Sequence, residues 1–315
     1  MARTWEYRGV FPAMQLPFDQ DLNIDEPELR RYAAWLAGHK GIGGLVTNGH
    51  TGEVFALSAR QRAEATRIVA DAVGGRLPVV SGICCEGIGE ATEHAQMARE
   101  AGASALLVMP PHQWLRFGMR QPENVVDHFA AIGKASGLDL VVHVYPAWTR
   151  ASYSFETLAA LARLPWVKCM KVGTRDMNKY ARDIRVIRQA NPAVTVLTCH
   201  DEYLLASMVQ GVDGALVGFA SFIPQLIVDL YAAVCAGDLK RAMDIQFRIN
   251  PLKDVVYGGG EPSGDAHARM KMAMYLAGIV KSPAVQPPTR PPAGAELQAI
   301  KDALRDAGML RKEAA

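Results

Sequence analysis

Short apolar runs alternate with longer amphipathic stretches along most of this chain, and this alternation limits its fold more than any other feature. Strands that alternate with helices are typical of parallel βαβ units. Eight such units follow one another at intervals of about 20–35 residues, and that number favours a closed barrel. The candidate strands begin near Val10, Gly43, Leu77, Ala105, Leu138, Trp166, Val194 and Ala215. The candidate helices cover 25–38, 58–73, 88–101, 122–136, 154–163, 176–190, 201–210 and 222–236.

An open, doubly wound sheet is the alternative arrangement for eight strand–helix units. Such a sheet would be favoured by a Gly-x-Gly-x-x-Gly turn after the first strand, and the sequence has none there. After residue 237 the pattern is purely helical, with candidate helices at 238–250, 265–280 and 294–309. We therefore predict an α/β fold, a (β/α)8 TIM barrel over 1–237 with a C-terminal helical extension over 238–315 that packs on the barrel.

Composition excludes several classes of protein. Half of the 315 residues are hydrophobic and the formal net charge is +2, with no basic stripe that would indicate a nucleic-acid partner. The five cysteines match neither a disulfide framework nor a zinc motif, which favours free thiols in a reducing cytosol. No apolar run approaches the roughly 18 residues of a membrane span, and the N-terminus lacks the apolar run of a signal peptide. The sequence predicts a soluble, cytoplasmic protein with no membrane partner, no metal and no cofactor.

The second candidate strand ends in a turn that could bind a carboxylate. It reads Thr47-Asn-Gly49-His50-Thr51-Gly-Glu53, with glycines on both sides of a His-Thr pair. Successive backbone N–H groups in such a turn can point at an anion. An ordinary strand-to-helix turn with a helix cap would explain the same residues.

The sixth candidate strand carries a lysine at its end, where a barrel has its active site. Lys171 closes an otherwise apolar strand, so its amine would lie in a desolvated mouth and become nucleophilic toward carbonyls. Lys168 has the opposite side-chain parity, which predicts that it faces the helices. A salt-bridge partner is the structural alternative for Lys171. Tyr145, at the end of the fifth strand, could relay protons or could be a core tyrosine.

These elements together resemble the dihydrodipicolinate synthase / N-acetylneuraminate lyase family. The resemblance begins at Gly9-Val-Phe-Pro-Ala-Met-Gln-Leu-Pro-Phe18 and continues through Gly49-His-Thr-Gly-Glu53. It then includes Tyr145-Pro146 and Lys171, and ends at Arg290-Pro-Pro292. Each motif alone is weak, but their order and spacing over nearly the whole chain are specific.

The resemblance implies a class I mechanism on a small-molecule 2-oxo acid such as pyruvate. Lys171 would form an imine with the ketone, and the protonated imine would stabilise a carbanion at the neighbouring carbon. Tyr145 would shuttle protons, and the turn with Gly49, His50 and Thr51 would hold the carboxylate. It also implies a homo-oligomer, a dimer or tetramer.

Several residues depart from the pattern of dihydrodipicolinate synthases. The first threonine of the turn is replaced by His50, and the relay tyrosine after the fourth strand is replaced by His112. Both imidazoles could be acid–base groups or could simply fill space. Arg150 could clamp a second carboxylate, or could be a surface arginine. His200, where relatives often have a small residue, and Leu216 complete the predicted substrate-binding set.

Two further interpretations concern side chains near the strand ends. Asp201 is predicted to cap the helix that follows it. His143 has the parity of Tyr145 and could point into the barrel, although a hydrogen-bonded core histidine is the simpler interpretation.

We thus expect an imine-forming carbon–carbon lyase, an aldolase or hydratase-aldolase that acts on pyruvate or a pyruvate-derived 2-oxo acid. A dehydratase of 2-keto-3-deoxy sugar acids could use the same imine. Dihydrodipicolinate synthase itself and a non-catalytic oxo-acid-binding barrel remain alternatives. A metal-dependent class II aldolase would need a carboxylate–histidine cluster, for which His200-Asp201 is the only sequence signal.

Overall fold

Eight parallel strands form a barrel in the computed structural model, which describes residues 4–119, 121–144, 153–258 and 264–311. The strands pair in the order β1-β8-β7-β6-β5-β4-β3-β2, and bridges from Val10 to Ile42 and from Ala13 to Val46 close β1 onto β2. The predicted TIM barrel is therefore confirmed. The strands are β1 Gly9–Pro12, β2 Leu45–Thr47, β3 Val79–Ile83, β4 Ala105–Val108, β5 Asp139–Val144, β6 Val167–Val172, β7 Thr195–Thr198 and β8 Gly214–Val217.

Helices surround the barrel and extend past it at the C-terminus. Several of these helices end at a glycine with positive φ, among them α2 at Gly74 and α5 at Gly137. The helices around the barrel are α1 Glu26–Ala37, α2 Ala59–Val73, α3 Ile88–Glu100, α4 His112–Phe117, α5 Pro122–Ser136, α6 Phe155–Ala162, α7 Met177–Ala190, α8 Leu204–Met208 and α9 Pro224–Cys235. The C-terminal helices are α10 Leu239–Tyr257, α11 Ala266–Leu276 and α12 Gly294–Asp306.

Side-chain alternation divides the core into two parts. Inward-facing side chains such as Phe11, Val80 and Leu197 fill the barrel, while the opposite faces of the strands pack against the helices. The helical extension contacts both the outer layer and the barrel mouth, because α10 packs on α9 and α11 contacts the turn at 50–52. None of the helices that the structure describes is long and apolar enough to cross a membrane.

Two helices differ from the sequence expectation. Helix α10 continues through Pro251 to Tyr257, where the sequence predicts an end at residue 250. A proline removes one backbone hydrogen bond, but Leu252 and Val256 are buried and hold the last turns in place. The six-residue helix α4 was not predicted, since it is too short to show a helical period.

Candidate active site

A cavity of about 390 Å³ opens at the carboxyl ends of the barrel strands. In a TIM barrel this is the face at which the strand ends and their loops form active sites. The predicted site residues Gly49, His50, Thr51 and Lys171 all line it. Side chains from α11 and the segment after it, His267, Val285 and Thr289, complete part of the wall.

Lys171 lies one residue before the end of β6 and points into the cavity. Its Cα pairs with His143 on β5 and with Leu197 on β7. Two positions earlier on the same face, Cys169 belongs to the barrel interior. Lys168 is exposed and donates a hydrogen bond from Nζ to the carbonyl of Pro165 at 2.8 Å, so the parity argument separated the two lysines correctly.

The turn after β2 is a short 3-10 helix, His50–Gly52. The residues on either side, Asn48 and Glu53, have φ values of 55° and 59°, a conformation that side-chain contacts must hold in place. The amide of Asn48 does so on one side, where it donates to the carbonyl of Arg62 at 2.8 Å and to the hydroxyl of Ser81 at 3.0 Å. The turn is thus fixed before any ligand binds.

Glu53 fixes the other side of the turn through a buried ion pair with Lys271 on α11. The Lys271 amine also donates to the carbonyls of Leu16 at 2.8 Å and Ala284 at 2.9 Å, and its side chain is only 1% exposed. The second carboxylate oxygen of Glu53 accepts the backbone N–H of Gln286 at 2.7 Å. The sequence did not indicate Lys271, because its partner is 218 positions away.

Three histidines share the cavity with Lys171. Burial lowers the pKa of His50 and of His143 well below the usual value, and the positive charge of Lys171 lowers both further. The same two causes lower the pKa of His267 to about 4. All three imidazoles are therefore neutral at pH 7. The rings of His50 and His143 are neighbours, with centroids 5.8 Å apart.

His143 is part of the cavity wall, which corrects its interpretation as an ordinary core histidine. Its Nε2 lies 3.5 Å from the thiol of Cys199, which follows β7. The two side chains come from the strands on either side of β6 and meet beside Lys171. His267 was missed altogether, and its Nδ1 has no hydrogen-bond partner among the described residues.

His112 lies outside the cavity, contrary to its predicted place among the substrate-binding residues. It is exposed, and its Nδ1 is 3.2 Å from a carboxylate oxygen of Glu86. Its ring contacts Phe55, which in turn stacks on His50, each at 4.9 Å between centroids. The exposed ring of Phe55 thus contacts both imidazoles, and His112 is not among the residues that line the cavity.

His200 lies behind the cavity wall instead of lining it. Its Nε2 is 2.8 Å from the carbonyl oxygen of Thr174, its ring packs against Tyr180, and burial lowers its pKa to about 4. Leu216 is also misplaced in the predicted substrate set, because it packs in the barrel interior below the cavity. The next two residues, Val217 and Gly218, line the cavity in its place.

Asp201 does not cap the following helix, so that prediction is wrong. Its carboxylate accepts the backbone N–H groups of Gly218 at 2.9 Å and Phe219 at 2.8 Å and the hydroxyl of Tyr257 at 2.9 Å. Burial raises the pKa of Asp201 to about 6, although these hydrogen bonds oppose the rise. The residue holds the turn after β8, and neither it nor His200 offers a converging metal ligand.

An ion pair between Arg175 and Glu202, at 2.7 Å, forms another part of the cavity wall that the sequence did not indicate. Tyr145 and Arg150, both predicted from the sequence, lie outside the described residues.

One group in the described part of the chain has metal-ligand spacing. The ligand atoms of Cys85, Glu90 and His94 lie within 4.8 Å of one another. The group lies away from the cavity, and the Arg62 guanidinium is 3.3 Å from the Nδ1 of His94, a positive charge that opposes cation binding.

The sequence is similar to one family over almost its whole length. The profile described as the dihydrodipicolinate synthetase family matches residues 6–307. The 4-hydroxy-tetrahydrodipicolinate synthase of Nitrobacter hamburgensis is 30% identical over 311 residues, which are 98% of this chain and 100% of the relative. The synthase of the same name from Rhodopseudomonas palustris is 30% identical over 98% of this chain and 100% of its own length.

Solved structures share the architecture. YagE, a prophage protein of the dihydrodipicolinic acid synthase family from E. coli K12 solved in complex with pyruvate, is 25% identical with a TM-score of 0.86, over 96% of this chain and 99% of its own. The dihydrodipicolinate synthase of Aquifex aeolicus has the same fold at 20% identity and a TM-score of 0.86, over 97% and 100% of the two chains. A monomeric dihydrodipicolinate synthase variant also has this fold, at 22% identity and a TM-score of 0.86, over 96% and 98%.

Proposed function

Because this chain belongs to the dihydrodipicolinate synthetase family, we propose that it is a class I, imine-forming lyase of the aldolase or hydratase-aldolase type. Its substrate would be pyruvate or a pyruvate-derived 2-oxo acid. The observation that carries the proposal is the position of Lys171, at the carboxyl end of β6 with its side chain in the cavity.

The surroundings of Lys171 suit a lysine that attacks a ketone. A lysine must lose its proton before it can act as a nucleophile, and a neutral imidazole nearby can accept that proton. His143 and His50 are neutral and share the cavity with Lys171. Once the imine has formed and is protonated, it withdraws electrons from the neighbouring carbon, so a carbon–carbon bond there can break or form.

The turn after β2 suits the carboxylate of a 2-oxo acid. Gly49 and Thr51 line the cavity, and the turn is held in place by Asn48 and Glu53. Backbone N–H groups and a hydroxyl that are fixed in advance bind an anion without a further ordering cost. The pyruvate complex of YagE supports the same ligand class for a related barrel.

Dehydration of a 2-keto-3-deoxy sugar acid is the second candidate, and the histidines favour it specifically. Dehydration removes a proton from the carbon next to the imine and passes a proton to the leaving hydroxyl. The neutral imidazoles of His50, His143 and His267, which all line the cavity, could accept the first proton and pass it on. Product analysis separates the two reactions. Cleavage releases pyruvate, which lactate dehydrogenase detects, whereas dehydration leaves the carbon chain intact.

Borohydride reduction in the presence of pyruvate and a panel of 2-oxo acids tests the proposal. Reduction makes an imine permanent, so mass spectrometry of the digested protein should find the adduct on the peptide that contains Lys171. Lys171→Met should abolish the adduct, whereas the matched Lys168→Met variant should retain it. Failure of every 2-oxo acid to label the wild-type protein would refute the proposed function.

The resemblance also predicts a homo-oligomer. The solved relatives include one described as a monomeric variant, so membership of the family does not fix the assembly. Light scattering coupled to size exclusion would measure the mass of the particle against the 34.2 kDa chain.

A further inference from the structure

The residue directly beside Lys171 in the barrel is a histidine. His143 on β5 is the Cα partner of Lys171 on β6, and both side chains line the cavity. Adjacent strands lie about 4.8 Å apart, so paired residues on the same face are immediate neighbours. Tyr145, to which the family resemblance assigns proton transfer, lies outside the described residues.

We infer that His143, together with the adjacent His50, is the acid–base group that moves protons at the Nζ of Lys171. The inference rests on the proposed function, since it names the proton carrier for imine formation. It differs from the sequence-based assignment, which gave that role to a phenol. It also explains why two histidines, His143 and His50, lie beside the lysine.

Within the described residues, three groups from neighbouring elements lie close to the imidazole of His143. Lys171 on β6 is one, the thiol of Cys199 after β7 is the second at 3.5 Å from Nε2, and the ring of His50 in the turn after β2 is the third at 5.8 Å between centroids. Burial raises the pKa of the Cys199 thiol, so this neighbour stays protonated and uncharged. Burial and the positive charge of Lys171 lower the pKa of His143, so its imidazole is neutral at rest.

Imine formation from a lysine ammonium balances with these two imidazoles. The ammonium gives one proton to the pair, and the free amine attacks the ketone carbon while the carbonyl electrons move to oxygen. A second proton then passes from the new C–N nitrogen to that oxygen, giving a neutral carbinolamine. The proton held by the pair is finally given to the hydroxyl, which leaves as water. The ammonium and ketone have become an iminium and water, with the net charge unchanged.

Two protons move during these steps. The first is taken from the ammonium and held until water leaves, and the second passes from nitrogen to oxygen in the meantime. A single imidazole cannot hold the first while it accepts the second. His143, in register with Lys171, is placed for the transfer, and His50, in contact with its ring, is placed to hold the other proton.

The test measures the rate of imine formation itself. Wild-type protein and the variants His143→Phe and His143→Ala are mixed with pyruvate, quenched with borohydride at set times, and the labelled fraction is determined by mass spectrometry. We expect His143→Phe to slow labelling by about 100-fold or more, a typical contribution of one general acid–base residue. Added imidazole should partly restore the rate in His143→Ala, which leaves room for it, but not in His143→Phe.

His128→Phe is the matched control, because His128 is also buried and neutral but packs against Trp114 and Phe129 away from the cavity. It should label at the wild-type rate. Circular dichroism confirms that each variant is folded.

The failures of the two proposals are distinguishable. Wild-type protein that is never labelled refutes the proposed function. Wild-type labelling with an unchanged rate in His143→Phe refutes the role of His143, as does a loss of rate in Tyr145→Phe alone. Slow labelling in His143→Ala that imidazole does not accelerate would reduce His143 to a structural part of the wall and would also overturn the inference.

Discussion

Replacing Lys271 with methionine tests how strongly the buried ion pair holds the turn at residues 50–52 in place. Methionine keeps most of the length and the apolar stem of lysine but removes the charge and the three hydrogen bonds of Nζ. These bonds go to Glu53 and to the carbonyls of Leu16 and Ala284. In the variant, Glu53 would remain mostly buried with the backbone N–H of Gln286 as its remaining donor in the described contacts.

The expected loss follows from the environment of the pair. Removing one partner of a buried ion pair costs about 3–5 kcal/mol, because the remaining charge has lost its compensation. Each carbonyl without its donor adds a cost of about 1–3 kcal/mol unless water enters. Because neighbouring effects are not additive and Glu53 is 11% exposed, we expect a net loss of about 3–5 kcal/mol in the free energy of unfolding.

Urea unfolding at pH 7 measures this loss, with Lys168→Met as the control. Lys168 is exposed and bonded to the Pro165 carbonyl, so its replacement should cost less than about 1 kcal/mol. The double variant Glu53→Gln, Lys271→Met removes the stranded charge and should recover at least about 1 kcal/mol of the single loss. A single-variant loss no greater than that of Lys168→Met would refute the reasoning.

Three other perturbations follow from the site and the core. Burial lowers the pKa of His128 to about 4 from an unfolded value near 6.5, so the stability that is present above pH 6.5 is lost as the pH falls toward 4. The free energy of unfolding should fall by about 3 kcal/mol over this pH range, and urea titrations should show a smaller fall in His128→Leu. An equal fall in both proteins would contradict this role of His128. His50→Ala should lower kcat well beyond its effect on KM for the substrate that borohydride trapping identifies, and unchanged turnover would exclude His50 from the relay. Leu216→Ala should cost about 2–5 kcal/mol in unfolding but leave KM unchanged, because the residue packs below the cavity; a raised KM would return Leu216 to the substrate wall.

The sequence predicts the barrel well because apolar residues recur at the buried positions of both strands and helices. Each candidate strand coincides with an observed one, as the run near Trp166 does with β6. The same parity separates Lys171 from Lys168, since it depends only on neighbours along one strand. Elements with no apolar period of their own, such as the six-residue helix α4, leave no such signal.

Side-chain alternation along a strand does not predict how far along the barrel axis a side chain lies. It places Leu216 on the inner face correctly, but it does not tell that the side chain lies below the cavity. Strands in a barrel are tilted and staggered, so equal positions in the sequence of two strands lie at different heights. The pairing of His143 with Lys171 is also a matter of register, and only the folded sheet fixes it.

The C-terminal extension contributes directly to the candidate site. Helix α11 carries His267 into the cavity wall and, four residues later on the same face, brings Lys271 to Glu53 of the turn. Val285 and Thr289 in the following segment line the cavity as well. The predicted division after residue 237 would therefore separate two parts of one site. If the turn binds the substrate carboxylate, its position depends on a charge supplied from α11, and no pattern local to the barrel segment could have revealed that dependence.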